Sequence, residues 1–501
     1  MSTGDSQEVV VIGAGIAGLS AAYELTGGPS PHENGPRVTI IEASDRTGGK
    51  IAKTVIDDHE FDAAADGVLA RRPEVLALIA DLGISHRVEP IAASGASVFA
   101  RGKLRLLPND LQMGIPTSFS SLRKSGTLST AGLLRAFRDV VAPRPASRGH
   151  LQDRTIGGLI ETKLGPEVVS TLVDPMIGGI SAGRVSEMSA AAVFPPLLEA
   201  AQERGSLMAA LRSVTAPAAT KASAHTEGEG HDAPEVPAPS FVSLAGGMHE
   251  LPATMEQVLR DRGVRFITGS EITGLRRGGG TDPSWLVDSA STTTPADGVV
   301  IAIPAPGAAQ ILRPLDPEAA SLLDQIDYAS VGVITFLFND EAVALPDEGT
   351  GVLVPPGTPV PTGPNAGERF NITALTFLDR KWPHLALSGR RLIRASIGRI
   401  DDDRMAQLTD AEILERVTEE LGILLELSDA PLSTSLVRWK DALPQYRVNH
   451  LMRVAGIEAA MDRLKDVTIC GAALHGIGIP ACVGSGRSAG RELLAELASS
   501  P

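Results

Sequence analysis

Three glycines near the start of the chain have the spacing of a dinucleotide-binding turn. Val9-Val-Val-Ile12 leads directly into Gly13-Ala14-Gly15-Ile16-Ala17-Gly18, and a helical pattern continues to Leu25. In such a turn the first glycine permits a sharp bend, the second lets the backbone approach a pyrophosphate, and the third lets helix and strand pack closely. The helix N-terminus offers free N–H groups to phosphates. The pattern predicts a dinucleotide site; a Rossmann turn that binds nothing is the alternative.

A carboxylate follows at the place where a ribose-binding residue is expected. Residues 38–42 form a short apolar strand candidate that ends in Glu42, after a polar loop rich in glycine and proline. A carboxylate there can accept hydrogen bonds from both ribose hydroxyls of an adenosine. It would repel a phosphate on the ribose, so the sequence disfavours NADP.

The residues directly after Glu42 indicate which dinucleotide is bound. Glu42-Ala43-Ser-Asp-Arg46-Thr-Gly48-Gly49-Lys50 places two glycines and two cations where a second approach to the diphosphate is expected. The segment resembles the Glu-x-x-x-Arg-x-Gly-Gly-Arg/Lys motif shared by flavin amine oxidases, phytoene desaturases and protoporphyrinogen oxidases. This resemblance implies FAD rather than NAD.

A second glycine-rich turn lies near the other end of the chain. Cys470 begins a segment that includes Gly476-Ile477-Gly478-Ile479-Pro480-Ala-Cys482, and a helix is predicted from about Ala481 to Leu497. Pro480 suits a first helical position, where its missing N–H costs nothing. A helix N-terminus aimed at the pyrimidine edge of a flavin would stabilise negative charge on the reduced ring. An ordinary capped helix is the alternative.

Further motifs extend the resemblance across nearly the whole chain. The C-terminal segment is similar to the Gly-Val/Ile-Gly-Ile/Leu-Pro-Asp-Cys of protoporphyrinogen and coproporphyrinogen oxidases, and the form with an Arg pair at 71 and 72 most resembles the Gram-positive coproporphyrinogen III oxidase type. The chain departs from the pattern in residues 213–240. The other matching segments are Asp174-Pro-Met-Ile-Gly-Gly-Ile-Ser-Ala-Gly183, Phe194-Pro195, Gly205-Ser-Leu207, Lys381-Trp-Pro-His384 and Arg438-Trp-Lys-Asp-Ala-Leu-Pro-Gln-Tyr446.

The resemblance assigns cofactor contacts by position. At 64–67 the chain departs from the bacterial Gly-Pro-Asp-Ser, so a contact made by backbone would survive there and one needing a serine hydroxyl would not. We nominate no catalytic acid, base or metal ligand, and His475 is expected to be structural or to line the pocket rim. The implied FAD contacts are Gly13, Ala14, Gly15, Ile16, Ala17, Gly18, Glu42, Ala43, Lys50, Ala64, Ala65, Asp66, Gly67, Ile272, Trp439, Ile477, Gly478 and Ile479.

The resemblance also implies the reaction, which is oxidation of a porphyrinogen by molecular oxygen through FAD, with release of hydrogen peroxide. The substrate carries propionates, so a cationic lining is needed, and Arg71 and Arg72 are the first candidates. Arg101, Lys103 and Arg105 are weaker, because alternating charges usually mark an exposed strand face. Coproporphyrinogen III is preferred and protoporphyrinogen IX is the alternative. A flavin amine oxidase, or a carrier without turnover, stays open. Hand-over of the product to a chelatase is a further expected partnership.

The strand–turn–helix pattern and the family resemblance together predict an α/β fold: a Rossmann-like FAD-binding domain of the flavin amine oxidase type, a mixed-sheet α+β substrate domain and a helical subdomain. Strands are predicted at 264–267, 298–303, 328–338 and 391–399, and a helix at 410–427. The predicted FAD-binding domain comprises 1–57, 240–308 and 432–501. The substrate-binding domain comprises 58–105 and 309–431, the helical subdomain 106–212, and a flexible insertion 213–239.

Bulk properties restrict the partners. The net charge of −15 disfavours nucleic acid. The chain contains no apolar run of about 18 residues, and its first eight residues carry neither a basic nor an apolar stretch, so we expect no membrane span and no signal peptide. Cys470 and Cys482 fit small buried residues in a reducing compartment, the cytoplasm. His225 and His231 lie among carboxylates in the insertion, where a solvated loop is favoured over a metal site.

Overall fold

The computed structural model describes residues 7–31, 35–142, 153–203, 205–215, 239–279 and 284–499. Residues 216–238 of the predicted insertion, with His225 and His231, lie outside this set. The first residues of the predicted insertion are helical, because the helix Leu207–Thr215 continues past the predicted boundary at residue 212.

A five-stranded parallel sheet carries the two glycine-rich turns. The alternation of Val9 and Val11 with Val10 and Ile12 sends side chains into two separate apolar cores, one on each face. Burial on both faces explains why the first strand is a continuous apolar run. In spatial order the strands are Arg265–Ile267, Arg37–Ile41, Glu8–Ile12, Gly298–Ile301 and Val467–Ile469.

Helices cover both faces of this sheet, as the strand pattern requires. A three-stranded antiparallel sheet also packs on the second face. On the first face lie Ile16–Leu25, Pro73–Asp81, Glu250–Asp261 and Ile479–Ser499. On the second lie Ala305–Leu312, Pro317–Asp324, His450–Leu464 and the strands Ile272–Arg277, Trp285–Ser289 and Thr293–Ala296.

A seven-stranded mixed sheet forms the second layer system. Its neighbours pair antiparallel except for one parallel pair, Gly351–Leu353 with Ser97–Ala100. The helix Asp410–Leu424 packs on it and begins at a capping box of Thr409 and Glu412. In spatial order the strands are Ser433–Pro444, Tyr328–Asn339, Arg390–Ile397, Ile372–Phe377, Gly351–Leu353, Ser97–Ala100 and Lys103–Leu106.

The residues that come after the edge strand Lys103–Leu106 in the sequence form a layer of helices, as predicted. Side-chain oxygens of Ser129, Thr155 and Ser189 accept hydrogen bonds from backbone N–H groups three residues on, which explains where three of these helices begin. The helices are Phe119–Ser125, Thr130–Val141, Ile156–Leu164, Pro166–Val168, a π-helical turn Val169–Val173, Asp174–Ser181, Ala190–Val193, Pro195–Gln202 and Leu207–Thr215.

Short elements join these layers. Two-stranded pairs are formed by Lys53–Ile56 with His59–Asp62, Leu111–Gln112 with Ile115–Pro116, and Val343–Ala344 with Glu426–Leu427. A three-stranded sheet contains Val68–Leu69, Phe241–Leu244 and Val88–Pro90, and the remaining helical turns are Ser85–Arg87, Asp340–Ala342, Leu378–Lys381, Pro383–Leu385 and Arg404–Gln407.

Two sequence predictions need correction in their boundaries. The helix predicted over 410–427 ends at Leu424, because Glu426–Leu427 pairs as a strand with Val343–Ala344. The C-terminal helix begins at Ile479 rather than near Ala481, so Pro480 is its second residue. The domain boundaries remain a prediction; the strand Ser433–Pro444, assigned to the FAD-binding domain, contributes to the seven-stranded sheet.

Candidate flavin site

The N-terminal turn, residues 13–18, has room only for glycine at two of its three glycine positions. A Cβ on Gly13, which has φ of 102°, would lie 2.7 Å from the Ala302 carbonyl oxygen, and a Cβ on Gly18 would lie 2.0 Å from the Gly13 carbonyl oxygen. At Gly15 a Cβ would meet nothing within 4 Å. Gly15 therefore presents an open stretch of backbone beside the first helix, which fits close approach of a pyrophosphate.

Glu42 lies beside this turn at the carboxyl end of the second strand. Its Oε2 accepts a hydrogen bond of 2.8 Å from the Ala14 N–H, and its Oε1 accepts from the Ser44 N–H and hydroxyl at 2.9 and 2.8 Å. These contacts fix the carboxylate in place. A carboxylate has about four lone-pair sites, so acceptor capacity remains for a ribose hydroxyl.

The second glycine pair packs against the first turn. The Gly48 N–H donates to the Ala14 carbonyl at 2.8 Å, and Gly48 pairs with Gly15 in an isolated β-bridge. A Cβ on Gly49 would lie 3.1 Å from the Gly15 Cα. The exposed Ala43 lies in the same loop as these glycines. The two motifs that predicted FAD thus form one backbone surface.

Lys50 lies near the C-terminal helix, within electrostatic reach of Cys482. Its side chain is accessible to solvent, yet protein atoms surround the ammonium, and this burial lowers its pKa, with a smaller opposing effect from the Cys482 thiol. Burial raises the pKa of Cys482 to about 11, which Lys50 partly counteracts. Both cysteines are free and buried, as predicted. The Lys50 and Cys482 interaction brings the two distant motifs together.

The first and last helices pack with their backbones nearly in contact. A Cβ on Gly486 would lie 2.1 Å from the Ala17 carbonyl oxygen, and one on Gly490 would lie 2.6 Å from that of Ala21. Arg487 forms an ion pair with the buried Glu24 on the first helix. This packing brings the C-terminal turn, residues 471–478, next to the N-terminal turn. Ile477, Gly478 and Ile479 lie at the junction of that turn and the last helix.

The segment 62–66 is held from the seven-stranded sheet. Arg394 donates to the carbonyls of Ala64 and Asp62 at 2.7 and 2.9 Å, and the Trp439 Nε1–H donates to the Ala63 carbonyl at 3.3 Å. The Asp66 carboxylate pairs with Lys381 and Arg394 at 3.0 and 3.2 Å. Burial alone would raise the pKa of Asp66, but these two cations outweigh it and the pKa lies below its usual value.

The same segment shows which predicted contacts could be made by side chains. The Asp66 carboxylate is occupied by its two cations, so a flavin contact there would come from backbone. A Cβ on Gly67 would lie 2.6 Å from the Trp382 ring, so this chain has no room for a side chain at that position. Ala65 is exposed and offers only backbone polar groups. Backbone contacts are therefore the ones that survive here.

Ile272 and Trp439 belong to different elements of the fold. Ile272 begins its strand and is buried in the apolar core that also contains Ile12 and Ile41, the residues that precede the first turn and Glu42. The Trp439 ring lies 5.9 Å from the Arg46 guanidinium, in the loop that follows Glu42. Both predicted contacts thus neighbour the two FAD motifs.

The two arginines predicted to bind substrate differ in their surroundings. Arg72 forms an ion pair with Glu74 at 2.6 Å, which raises the pKa of Arg72. Arg71 is exposed, and it forms no ion pair with the residues that the structure describes. A Cβ on Gly484 would lie 3.4 Å from the Glu74 Cγ, so this segment borders the last helix. Arg71 is the better candidate for binding an anion.

The weaker basic candidates lie far from this region. Lys103 and Arg105 are on the edge strand at one end of the seven-stranded sheet, and Trp439 is on the strand at the other end. At about 4.8 Å per strand the separation is roughly 29 Å. Arg101 and Arg105 donate to the carbonyls of Leu128 and Ala100 instead.

Sequence reasoning missed two residues that support the C-terminal turn. The Tyr446 hydroxyl and the His450 ring both contact backbone groups of residues 472–476. The sequence shows Tyr446 only as the last residue of the segment Arg438–Tyr446, and its partners in the turn are 26 to 30 positions away. The position of the tyrosine after a Pro-Gln pair is the one sequence feature that could have indicated this role. His475 forms an exposed ion pair with Glu458, consistent with a structural role.

Comparison with known proteins decides the family. The model for flavin containing amine oxidoreductases matches residues 16–494. The chain belongs to this family. It is therefore a flavin-dependent oxidoreductase, and the predicted FAD cofactor and fold class are confirmed.

Individual relatives agree with the resemblance drawn from the motifs. The chain is 30% identical to coproporphyrinogen III oxidase of Bacillus subtilis (strain 168), with all of both chains covered. It is 30% identical to coproporphyrinogen III oxidase of Mycobacterium leprae (strain TN), over 98% of this chain and 99% of that protein. A crystal structure of a candidate protoporphyrinogen oxidase from Exiguobacterium sp. 255-15 superposes with a TM-score of 0.82 at 26% identity, covering 99% and 100% of the two chains. The predicted relationship to these oxidases is confirmed.

Of the helices in the described part of the chain, none has the length and apolar character that crossing a bilayer requires.

Proposed function

We propose that the chain oxidises coproporphyrinogen III to coproporphyrin III with molecular oxygen as acceptor and hydrogen peroxide as by-product. The observation that carries the proposal is the meeting of the two glycine turns, with Lys50 beside them, in a chain similar over its full length to coproporphyrinogen III oxidases. Three two-electron oxidations convert the porphyrinogen to the porphyrin, and each reduces one oxygen molecule to hydrogen peroxide.

The residues around the turns suit FAD, and the proposed contacts are those assigned from the sequence. The backbone of residues 13–18 would bind the pyrophosphate, Glu42 the adenosine ribose, and residues 477–479 the flavin edge. When bound, the isoalloxazine ring supplies the hydride acceptor. The chain's own contribution is to hold substrate and ring in register and to exclude water, so we propose no catalytic acid or base.

The propionates of the substrate require a cation, and we propose Arg71 for this role. Arg71 has no competing carboxylate among the described residues, whereas Arg72 is paired with Glu74. We expect Arg71→Ala to raise the KM for coproporphyrinogen roughly tenfold while leaving the FAD content unchanged. Arg72→Ala is the matched control, with an expected change below about threefold. Steady-state kinetics with flavin quantification measures both, and an unchanged KM in Arg71→Ala would remove Arg71 from the pocket.

One experiment tests the proposed activity directly. The purified holoenzyme is mixed anaerobically with coproporphyrinogen III while its visible spectrum is recorded. We expect the flavin absorption near its oxidised maximum to bleach, and admission of oxygen to restore it with formation of hydrogen peroxide. A flavin that never bleaches would favour a carrier without turnover.

Two alternative enzymes remain, and each makes a different prediction. The similarity to a candidate protoporphyrinogen oxidase favours protoporphyrinogen IX as the competing substrate, and a clear preference for this dicarboxylate in side-by-side assays would overturn our choice. A flavin amine oxidase would release hydrogen peroxide from amines and not from porphyrinogens. That class commonly holds its amine between aromatic rings, and this chain has 3 Trp and 3 Tyr.

Three finer points belong to the same proposal. We propose that the protein works in the cytoplasm and hands its product to a chelatase. We also propose the discontinuous FAD-binding, substrate-binding and helical domains with the boundaries predicted from the sequence. Limited proteolysis of the holoenzyme, with the cleavage sites mapped, tests those boundaries.

A further inference from the structure

The Tyr446 hydroxyl is inserted into the C-terminal turn. It donates to the Ala472 carbonyl at 2.6 Å and accepts from the Gly476 N–H at 2.7 Å. A carbonyl and an N–H four residues apart would bond directly to each other in an α-turn. The hydroxyl stands between them instead, so a single side-chain oxygen widens this turn and fixes its two ends.

His450 supports the same turn at Leu474, midway between the two residues that Tyr446 contacts. Its ring stacks on Tyr446 with a centroid distance of 3.8 Å and an interplanar angle of 14°. Its Nε2 lies 2.8 Å from the Leu474 carbonyl oxygen, so Nε2 carries a proton and donates it to that bond. The two rings, here called the Tyr446–His450 pair, therefore hold three backbone groups of the turn.

The pair is anchored independently of the turn that it supports. The Tyr446 carbonyl accepts from the Ser189 N–H at 2.8 Å, and the Asn449 N–H donates to the Asp153 carboxylate at 2.8 Å. Tyr446 also lies two residues after the strand Ser433–Pro444, and His450 begins the helix His450–Leu464. The helical layer and the seven-stranded sheet thus set where the pair lies.

We propose that the Tyr446–His450 pair positions the C-terminal turn, and with it the N-terminus of the helix Ile479–Ser499, against the flavin. The inference rests on the proposed function. The pair acts through backbone and need not touch the cofactor. Because a helix N-terminus carries partial positive charge, holding it at the flavin stabilises the negative charge of the reduced ring more than the neutral oxidised ring.

Tyr446→Phe tests the proposal by removing one oxygen. The Ala472 carbonyl and the Gly476 N–H then lose their buried partner. We expect the protein's affinity for the reduced flavin to fall about tenfold more than its affinity for the oxidised flavin. This difference lowers the midpoint potential of the bound flavin by about 30 mV for a two-electron couple. We also expect amide hydrogen exchange in peptides covering 471–479 to become at least tenfold faster in the apo-protein.

The matched control is Tyr328→Phe. The Tyr328 hydroxyl is near Tyr446 but accepts from a different backbone N–H, that of Ala305 at 2.9 Å, at the start of the helix Ala305–Leu312 and not from the C-terminal turn. This variant should lose comparable thermal stability, with unchanged exchange over 471–479 and an unchanged flavin potential. If Tyr446→Phe matched Tyr328→Phe in both measurements, the proposal would be overturned.

A second variant allows the same two measurements if Tyr446→Phe fails to fold. His450→Phe retains a stacked ring and removes the donor to Leu474. It should speed amide exchange over 471–479 and lower the flavin potential, both by less than Tyr446→Phe does. If neither the exchange rate nor the potential changed, the proposal would be overturned. Failure of the proposed function would look different. The flavin of the wild-type holoenzyme would not be bleached by coproporphyrinogen III, whereas the exchange comparison in apo-proteins would still report whether the pair holds the turn.

Discussion

The two glycine turns of this protein are built by opposite means. The N-terminal turn is shaped by missing side chains, since the backbones of Gly13, Gly18 and Ala302 approach more closely than any Cβ allows. The C-terminal turn is shaped by side chains that are present, because Tyr446 and His450 bond to two of its carbonyls and one of its N–H groups. The glycines that the first turn needs lie within six residues of one another, whereas the side chains that hold the second turn lie 24 to 30 positions from their partners.

The largest effect is expected where the N-terminal turn tolerates no methyl group. In Gly18→Ala the new Cβ would lie 2.0 Å from the Gly13 carbonyl oxygen, and neither backbone can move without separating the helix from its strand. We expect a loss of more than about 3 kcal/mol of unfolding free energy and protein recovered without flavin. Chemical denaturation and the ratio of flavin to protein absorbance measure this. A Gly18→Ala protein of wild-type stability would contradict the idea that missing side chains shape this turn.

Gly15→Ala separates folding from cofactor binding in the same turn. Here φ is −69°, and a Cβ would meet nothing within 4 Å, so the variant should fold with nearly wild-type stability. The methyl group would project toward the space proposed for the pyrophosphate. We expect the dissociation constant for FAD to rise about a hundredfold, which corresponds to about 2.7 kcal/mol. Titration of apo-protein with FAD decides the matter, and unchanged affinity would move the pyrophosphate away from Gly15.

The contrast between the turns explains what the sequence could predict. The strand, the three glycines and Glu42 lie within about 35 residues of one another, and the structure confirms the predicted strand, turn and helix, with Glu42 directly after the second strand. The hydrogen bond from the Ala14 N–H to Glu42 was not predicted. The second FAD motif is also confined to one short segment, residues 42–50, and this segment packs on Gly15 through Gly48.

What could not be predicted depends on long-range contacts. Arg394, which holds Asp62 and Ala64, is more than 300 positions from them and carries no motif of its own. The partner of Arg72 is an exception, because Glu74 is only two positions away: the sequence offers Arg71 and Arg72 as neighbouring candidates, and the structure shows that Arg72 is paired with Glu74. Side chains that support a site from another sheet leave no spacing pattern, because their partners are set by the packing of layers and not by helix or strand periodicity.

A turn held by a titratable side chain should also respond to pH, unlike one held by backbone. His450 is fully buried, its Nε2 proton is donated to the Leu474 carbonyl, and its Nδ1 has no partner among the described residues. A proton on Nδ1 would be a buried donor without an acceptor. Burial therefore lowers the pKa of His450 to about 4; the Leu474 carbonyl and Asp153 oppose the shift, while Arg453 and His475 add to it.

The sign of the pH effect follows from this shift. An unfolded histidine has a pKa of about 6.5, so the unfolded chain takes up the proton first as the pH falls. The contribution of His450 to stability is complete above about pH 6.5 and is lost between there and about pH 4. From pH 6.5 to 5.5 we expect this histidine to lower the unfolding free energy of the apo-protein by about 1 kcal/mol.

Urea denaturation of wild type and His450→Phe at both pH values isolates this contribution, because the variant should show a smaller loss over the same interval. Tyr446→Phe leaves the histidine buried and should keep the wild-type pH dependence. Identical pH dependence in wild type and His450→Phe would mean that the C-terminal turn, like the N-terminal one, is insensitive to protons.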